Sequence, residues 1–375
     1  MRRLLARRRP ALGAAAAALY PDVPRVAGTD LLGRPEWLPG APVDLAAIGL
    51  RWQPSPPAPA WSASGPGAAH VLPPVATGSG NDLRYASYAQ AVGALDRPAC
   101  YEDRVCYRLA GARLTDRPEL TFGQCGYFDG VSPGQSVAHE FAAAGPIAGH
   151  PGPDLSGLPL RAAAGDPCDL TRRVTTAVIA TLTLRRDVGG SASFLLHWRD
   201  PARVNHAGGM FMVLPTGIFQ PITGTPAGLR ADFSLWRCLV REFSEELLGS
   251  SEEYPISDGV LDYAGWEFHE ALTRARESGA LTVRCLGIGV DPLTLATDIL
   301  TVAVFDGDVF DALFAGLVLA NAEGSLVTKD GSAAIGFTAE NIARFTNGSE
   351  PVQSAGAALL RLAWQHRRDL LGRAT

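Results

Sequence analysis

The densest chemistry in this sequence is Arg241-Glu242-Phe243-Ser244-Glu245-Glu246, three carboxylates and one guanidinium in a single short run. At about 100° per residue, a helix through it brings Glu245 and Glu246 within about 60° of Glu242. Phe233, Trp236, Val240, Phe243 and Leu247 fall on the other side. One face is therefore core and the other an acidic cluster. Like charges at this spacing weaken a helix by roughly 0.2–0.5 kcal/mol per pair. Arg241 can relieve part of that through Glu245. A hard divalent cation would relieve more, because Mg²⁺ takes oxygen ligands. The plainer alternative is a solvated acidic face.

The pattern Arg-Glu-x-x-Glu-Glu resembles the core of the Nudix box, the metal-binding helix of Nudix hydrolases. That resemblance implies that Glu242, Glu245 and Glu246 hold Mg²⁺ or Mn²⁺ against a diphosphate. It also implies that Glu245 or Glu246 polarises the attacking water and that Arg241 orients a glutamate. The chain departs from the pattern in places. The closing Gly comes one residue late, at Gly249. Phe233 stands where the upstream Glu belongs, and Ala227 where the opening Gly belongs. Pro215-Thr216-Gly217, after the apolar run Met210 to Leu214, resembles the Pro-Gly-Gly opening of a Nudix loop. The implied function is metal-dependent hydrolysis or binding of a nucleoside diphosphate-linked compound. The alternative is a catalytically inactive nucleotide sensor or transcriptional regulator, because the degenerate box suits ligand binding without chemistry. The chain loosely resembles long bacterial Nudix-like regulators. Such regulators contact DNA through a helix-turn-helix, and the sequence shows none: residues 1–20 are too short for one, and Pro21 and Pro24 break the residues after them. The partners implied are a nucleotide-type small molecule and, for the regulator, DNA. A homodimer is compatible with either reading.

Other residues could join this site. Trp198, in His197-Trp198-Arg199-Asp200, could stack a base, or the four could be a strand-edge cluster. Gly217 is a candidate substrate contact. Asp291, Asp298 and Glu323 could each add a metal ligand or general base. His139-Glu140 lacks the second His of H-E-x-x-H, and Gly134-Gln135-Ser136 lacks the closing Gly of a nucleophile elbow.

The elements that must position these residues can be read from composition and punctuation. The chain has 375 residues, 47% hydrophobic, with net charge −5. That suits a sizeable core and argues against a protein that wraps polyanions. The 6 Cys are scattered without C-x-x-C spacing, which points to reduced thiols in a cytoplasmic protein. No uninterrupted apolar stretch is long enough for a membrane span. Arg2, Arg3, Arg7, Arg8 and Arg9 precede an Ala-rich run closed by Tyr20-Pro21, which reads as a basic helical or flexible arm rather than a secretory signal. Residues 1–80 are Pro/Gly/Ala-rich and are expected to be poor in regular structure. Residues 83–170 form a small α+β unit, with helices at 88–95 and 137–144 and strands at 107–114 and 120–122. Residues 171–375 are expected to form a Nudix-like αβα sandwich with a mixed sheet. Its strands are 174–184, 194–198, 211–214, 282–289 and 298–305. Its helices are 232–248, 265–277, 308–320, 338–345 and 354–371. Asp232 is the expected N-cap of the carboxylate helix and Gly249 its stop. The fold class is α+β.

Overall fold

Two ten-residue runs of apolar and β-branched side chains, Leu281–Val290 and Thr297–Asp306, form the centre of the molecule. The computed structural model describes residues 2–375 apart from 63–74, 77–81, 84, 86, 99–100, 146–153, 200–208, 251–253, 255, 319–323, 327–333 and 373–375.

The segment expected to lack regular structure carries α1 (Arg2–Ala18), β1 (Val43–Asp44), β2 (Gly49–Trp52) and β3 (Val75–Ala76), which pairs with β4 (Asp82–Leu83). Alanine is the best helix former, and in α1 it also packs: Leu12 and Ala16 are buried against Phe141, Leu158 and Leu293. Next come α2 (Tyr88–Leu95), β5 (Val105–Arg113), β6 (Glu119–Gly126), α3 (Tyr127–Ala143) and α4 (Pro159–Ala164). β2, β6 and β5 make a three-stranded sheet. Helix α3 starts well before the expected residue 137 and runs through Pro133. Gly134, which opens the incomplete nucleophile-elbow pattern of the sequence, is mid-helix. A Cβ there would lie 1.7 Å from the Thr294 carbonyl oxygen, so glycine permits close approach of the turn after Leu281–Val290. Ser136 is buried and donates to the Pro133 carbonyl at 2.9 Å.

The rest of the chain runs β7 (Ala177–Arg186), β8 (Ala192–Phe194), β9 (His197–Arg199), β10 (Phe211–Met212), β11 (Thr216–Ile218), α5 (Pro226–Ala231) and α6 (Leu235–Leu248). After these come β12 (Ile256–Ser257), β13 (Val260–Leu261), α7 (Glu267–Glu277), β14 (Leu281–Val290), β15 (Thr297–Asp306) and α8 (Gly307–Leu313). Last are β16 (Gly324–Leu326), β17 (Ile335–Gly336), α9 (Ala339–Thr346), α10 (Ser354–Gln365) and α11 (Arg367–Leu371). The main sheet has the order β1-β14-β15-β7-β8-β17, with β11 also beside β7. β14 runs antiparallel to β15, and β15 parallel to β7, so the sheet is mixed.

Side chains alternate across a strand, and the two resulting faces have separate cores. Ile179, Ile299, Ala303 and Phe305 pack with α6, α7 and α8. Ala180, Leu182, Leu300 and Val302 pack with α9 and α10. The result is three layers: helices, mixed sheet, helices. The strand expected over 194–198 is broken, because β8 belongs to the main sheet and β9 to a three-stranded sheet with β10 and β16.

Helix α6 begins three residues later than expected. Ser234, not Asp232, is the N-cap, its Oγ accepting from the Arg237 N–H at 3.3 Å. Gly249, at φ 66°, ends the helix in the left-handed region as expected. We expect Ser234→Ala to lower stability by about 1 kcal/mol, read as a fall in the urea midpoint at unchanged slope. No measurable fall would mean that another group caps this end.

Candidate functional site

The apolar side of α6 fixes where its acidic side points. Phe243 is fully buried, its ring 5.5 Å from Phe305 and 5.7 Å from Phe314. Burying such a side chain contributes roughly 1.5–3 kcal/mol, and Leu239 and Leu247 add to it. The helix is thereby locked in rotation, and Glu242, Glu245 and Glu246 stand half-buried along its flank.

Each glutamate has a distinct seat. Glu242 lies over β11: a Cβ built on Gly217 would fall 1.9–2.2 Å from its carboxyl atoms. Only glycine at 217 leaves room for the carboxylate in this position. Glu246 Oε1 accepts from the Thr216 N–H at 3.0 Å. Glu245 Oε1 accepts from the Tyr254 hydroxyl at 2.5 Å. Burial, then the Glu245 charge, pushes the Tyr254 pKa up, so the phenol stays protonated and donates. The strand beneath is firmly held. Thr181 N–H bonds the Pro215 carbonyl at 2.9 Å, Thr183 Oγ1 bonds the Leu214 carbonyl at 2.7 Å, and Thr216 Oγ1 bonds that of Val213 at 2.9 Å.

Arg241 does not orient these carboxylates in the way expected. It is 4% exposed and its guanidinium is directed inward. Nη1 donates to the Tyr263 hydroxyl at 2.6 Å and lies 3.2 Å from Asp232 Oδ1. Nη2 donates to the Gln220 carbonyl at 2.6 Å. Asp232 in turn accepts from Tyr263 at 2.6 Å and from the Ile222 N–H at 2.8 Å. The cause is burial: Asp232 is 1% exposed, and a carboxylate so placed needs a countercharge. Asp232, Gln220, Tyr254 and Tyr263 were missed in the sequence. Only Asp232 carried a signal, and Ser234, an equally good capping residue two positions on, made that signal ambiguous.

The remaining candidates are dispersed. Trp198 packs on Phe211 at 4.7 Å in the small sheet, and Phe211 packs on Phe345 of α9. The partners that the structure gives Trp198 therefore lie with the α9 layer rather than with α6. Asp298 shares a sheet face with Leu300 and Val302, which packs with α10, so it points away from α6. Asp291 lies in the β14–β15 turn, where its side chain accepts from the Leu293 and Thr294 N–H groups. Glu323 lies outside the described residues. His139 is buried within 3.3 Å of the Tyr88 hydroxyl, and burial lowers its pKa to about 4, so it is a neutral core group. The described cysteines are free thiols, and Cys100 lies outside the described residues.

The donor chemistry of α6 suits a hard cation. Its geometry is not a ready-made cage: among the described residues, no group of three or more His, Cys, Asp or Glu is gathered to hold a metal ion. A cation here would have to be held through one or two carboxylates, with other ligands supplied from outside the chain. Among the described residues, no helix is long and apolar enough to cross a membrane.

No family model matches this chain, and no curated protein matches it. Among solved structures, the crystal structure of a Nudix hydrolase from Alicyclobacillus acidocaldarius matches at TM-score 0.28 and 14% identity. That match covers 53% of this chain and 96% of the other. At this TM-score the likeness establishes neither family nor activity.

Proposed function

We propose that the α6–β11 face is a Nudix-like module that binds a nucleoside diphosphate-linked small molecule together with Mg²⁺ or Mn²⁺, and that binding, not turnover, is its task. The observation that carries this reading is the Glu242 carboxylate seated over Gly217. Glycine at that point serves no turn, since it is not among the glycines of positive φ. It provides space for an acid. Three carboxylates alone would repel a diphosphate. Mg²⁺ is commonly held through one or two carboxylates plus the phosphates of the ligand, which a single well-placed glutamate can serve. When bound, the cation would neutralise phosphate charge. Glu245 and Glu246 are already engaged by Tyr254 and Thr216, and Phe233 replaces the upstream glutamate. Both features favour binding over hydrolysis. The retained Arg-Glu-x-x-Glu-Glu favours the second reading, a working hydrolase.

The test is thermal melting with and without Mg²⁺ across ADP-ribose, nucleotide sugars and nucleoside triphosphates, with product release assayed for every hit. We expect a shift that needs ligand and metal together, no shift from Mg²⁺ alone, and no product. Gly217→Ala should abolish the ligand shift, because the Glu242 carboxylate must leave its seat. Product formation lost in Glu246→Gln would replace this reading with hydrolysis. No shift with any metal–ligand pair would end both.

A further inference from the structure

Beside α10, across the main sheet from α6, lies a cavity of about 560 Å³ bounded by α1, the loop at Gly28–Asp30, the β14–β15 turn and the start of α10. Small-molecule sites occupy roughly 300–1,000 Å³. Arg9 lines it and is 7% exposed. Its Nη2 makes no hydrogen bond. The nearest acid, Asp291 Oδ2, is 3.7 Å away, an ion pair without a hydrogen bond.

Asp291 is satisfied by other groups. Its Oδ1 accepts from Leu293 N–H at 3.0 Å, Thr294 N–H at 2.8 Å and Thr294 Oγ1 at 3.0 Å, and Oδ2 accepts from Ser354 Oγ at 3.3 Å. A buried guanidinium nitrogen therefore remains without a hydrogen-bond acceptor at the wall of this half-open cavity.

A second, independent feature has the same sign. The 12-residue helix α10 opens at Ser354, which lines the cavity, and its N-cap Gln353 makes no side-chain cap bond. The first N–H groups of a helix have no intrahelical partner and carry the positive end of its dipole. Arg361 adds charge at the rim while holding the Gly28 carbonyl at 2.8 Å and the Thr346 carbonyl at 2.7 Å. The rim carboxylates do not cancel this: Glu350 is 2.7 Å from Arg344, and Asp30 is exposed. Phe345, Met210 and Leu293 supply apolar wall.

We propose that this cavity binds a small organic oxyanion, a carboxylate or phosphate ester with an apolar body. The acid group meets Arg9 and the first turn of α10, and the body rests on Phe345 and Met210. The site shares no residue with the α6–β11 face and stands or falls separately from it.

Gly13 of α1 supplies the discriminating variant. It lines the cavity, and a Cβ there would meet nothing within 4 Å. Gly13→Leu therefore adds side-chain volume at the cavity wall with no clash at its Cβ. The full chain is titrated calorimetrically with inorganic phosphate, phenyl phosphate and benzoate. We expect at least one of the two aromatic oxyanions to bind, about tenfold or more weaker in Arg9→Met and in Gly13→Leu, and unchanged in Gly217→Ala. Preference for phenyl phosphate identifies a phosphate ester as the ligand, and preference for benzoate a carboxylate. If Arg9→Met does not fold, Gly13→Leu alone decides. Binding of no probe, or binding that survives in Gly13→Leu, overturns the assignment and leaves a water-filled cavity.

Discussion

Arg241→Met should destabilise the protein by about 3–5 kcal/mol, the usual result of removing one partner of a buried ion pair. Asp232 would keep its bonds from Tyr263 and Ile222 but lose the guanidinium 3.2 Å from its Oδ1. The Gln220 carbonyl would also lose a donor. Adding Asp232→Asn should recover at least half of the loss, because the neutral amide no longer needs a cation. Urea denaturation of the single and double variants measures both. A loss below about 1 kcal/mol for Arg241→Met would show that the pair is replaceable. The contrast with the motif-based role is direct. An arginine that oriented a reacting glutamate would alter function at constant stability, whereas this one should alter stability first.

The second large effect is a stability slope with pH. Asp298 is fully buried, and burial, then the neighbouring Asp291, raises its pKa from 3.8 to about 7, with Arg9 opposing. Between these values the folded protein holds a proton that the unfolded chain has released. Stability from this group therefore falls as pH rises from about 4 to about 7 and levels off above that. At about 1.4 kcal/mol per pH unit the total is about 4 kcal/mol. Asp298→Asn should remove the slope, so the variant gains on the wild type with rising pH and is the more stable protein at pH 8. Denaturation at intervals from pH 4 to pH 8 gives the difference curve. A flat difference would show that Asp298 is ionised in the folded state throughout, stabilised by Arg9 more than burial opposes it.

The legible parts of this protein were those specified by local pattern. The period of Phe243 and Leu247 against Glu242 and Glu246 placed α6 and its two faces, and Gly249 ended it where a left-handed residue was needed. The β14–β15 pair was readable from two β-branched runs. What stayed hidden depended on distant partners. Asp232 and Ser234 are both good N-caps by type. Arg241 and Tyr263, the latter 31 residues away in sequence, draw Asp232 inward and leave the cap to Ser234. The run 194–198 reads as one strand because alternation does not show where a chain leaves one sheet for another. In the sequence Gly217 stands out only by its place after Pro215-Thr216. Its physical reason, room for Glu242, exists only once α6 and β11 are packed.

The N-terminal segment has a consequence for handling the protein. β1 pairs with the outer edge of β14, Val43 opposite Cys285 and Asp44 opposite Arg284, and Leu32 bridges Val290 further along. β14 is a long, nearly all-buried strand. Stripped of this cover it would present an apolar edge with open hydrogen-bonding groups, the arrangement that templates aggregation. Trimming the chain to its motif-bearing portion should therefore yield insoluble material, even though every residue of the acidic helix is retained.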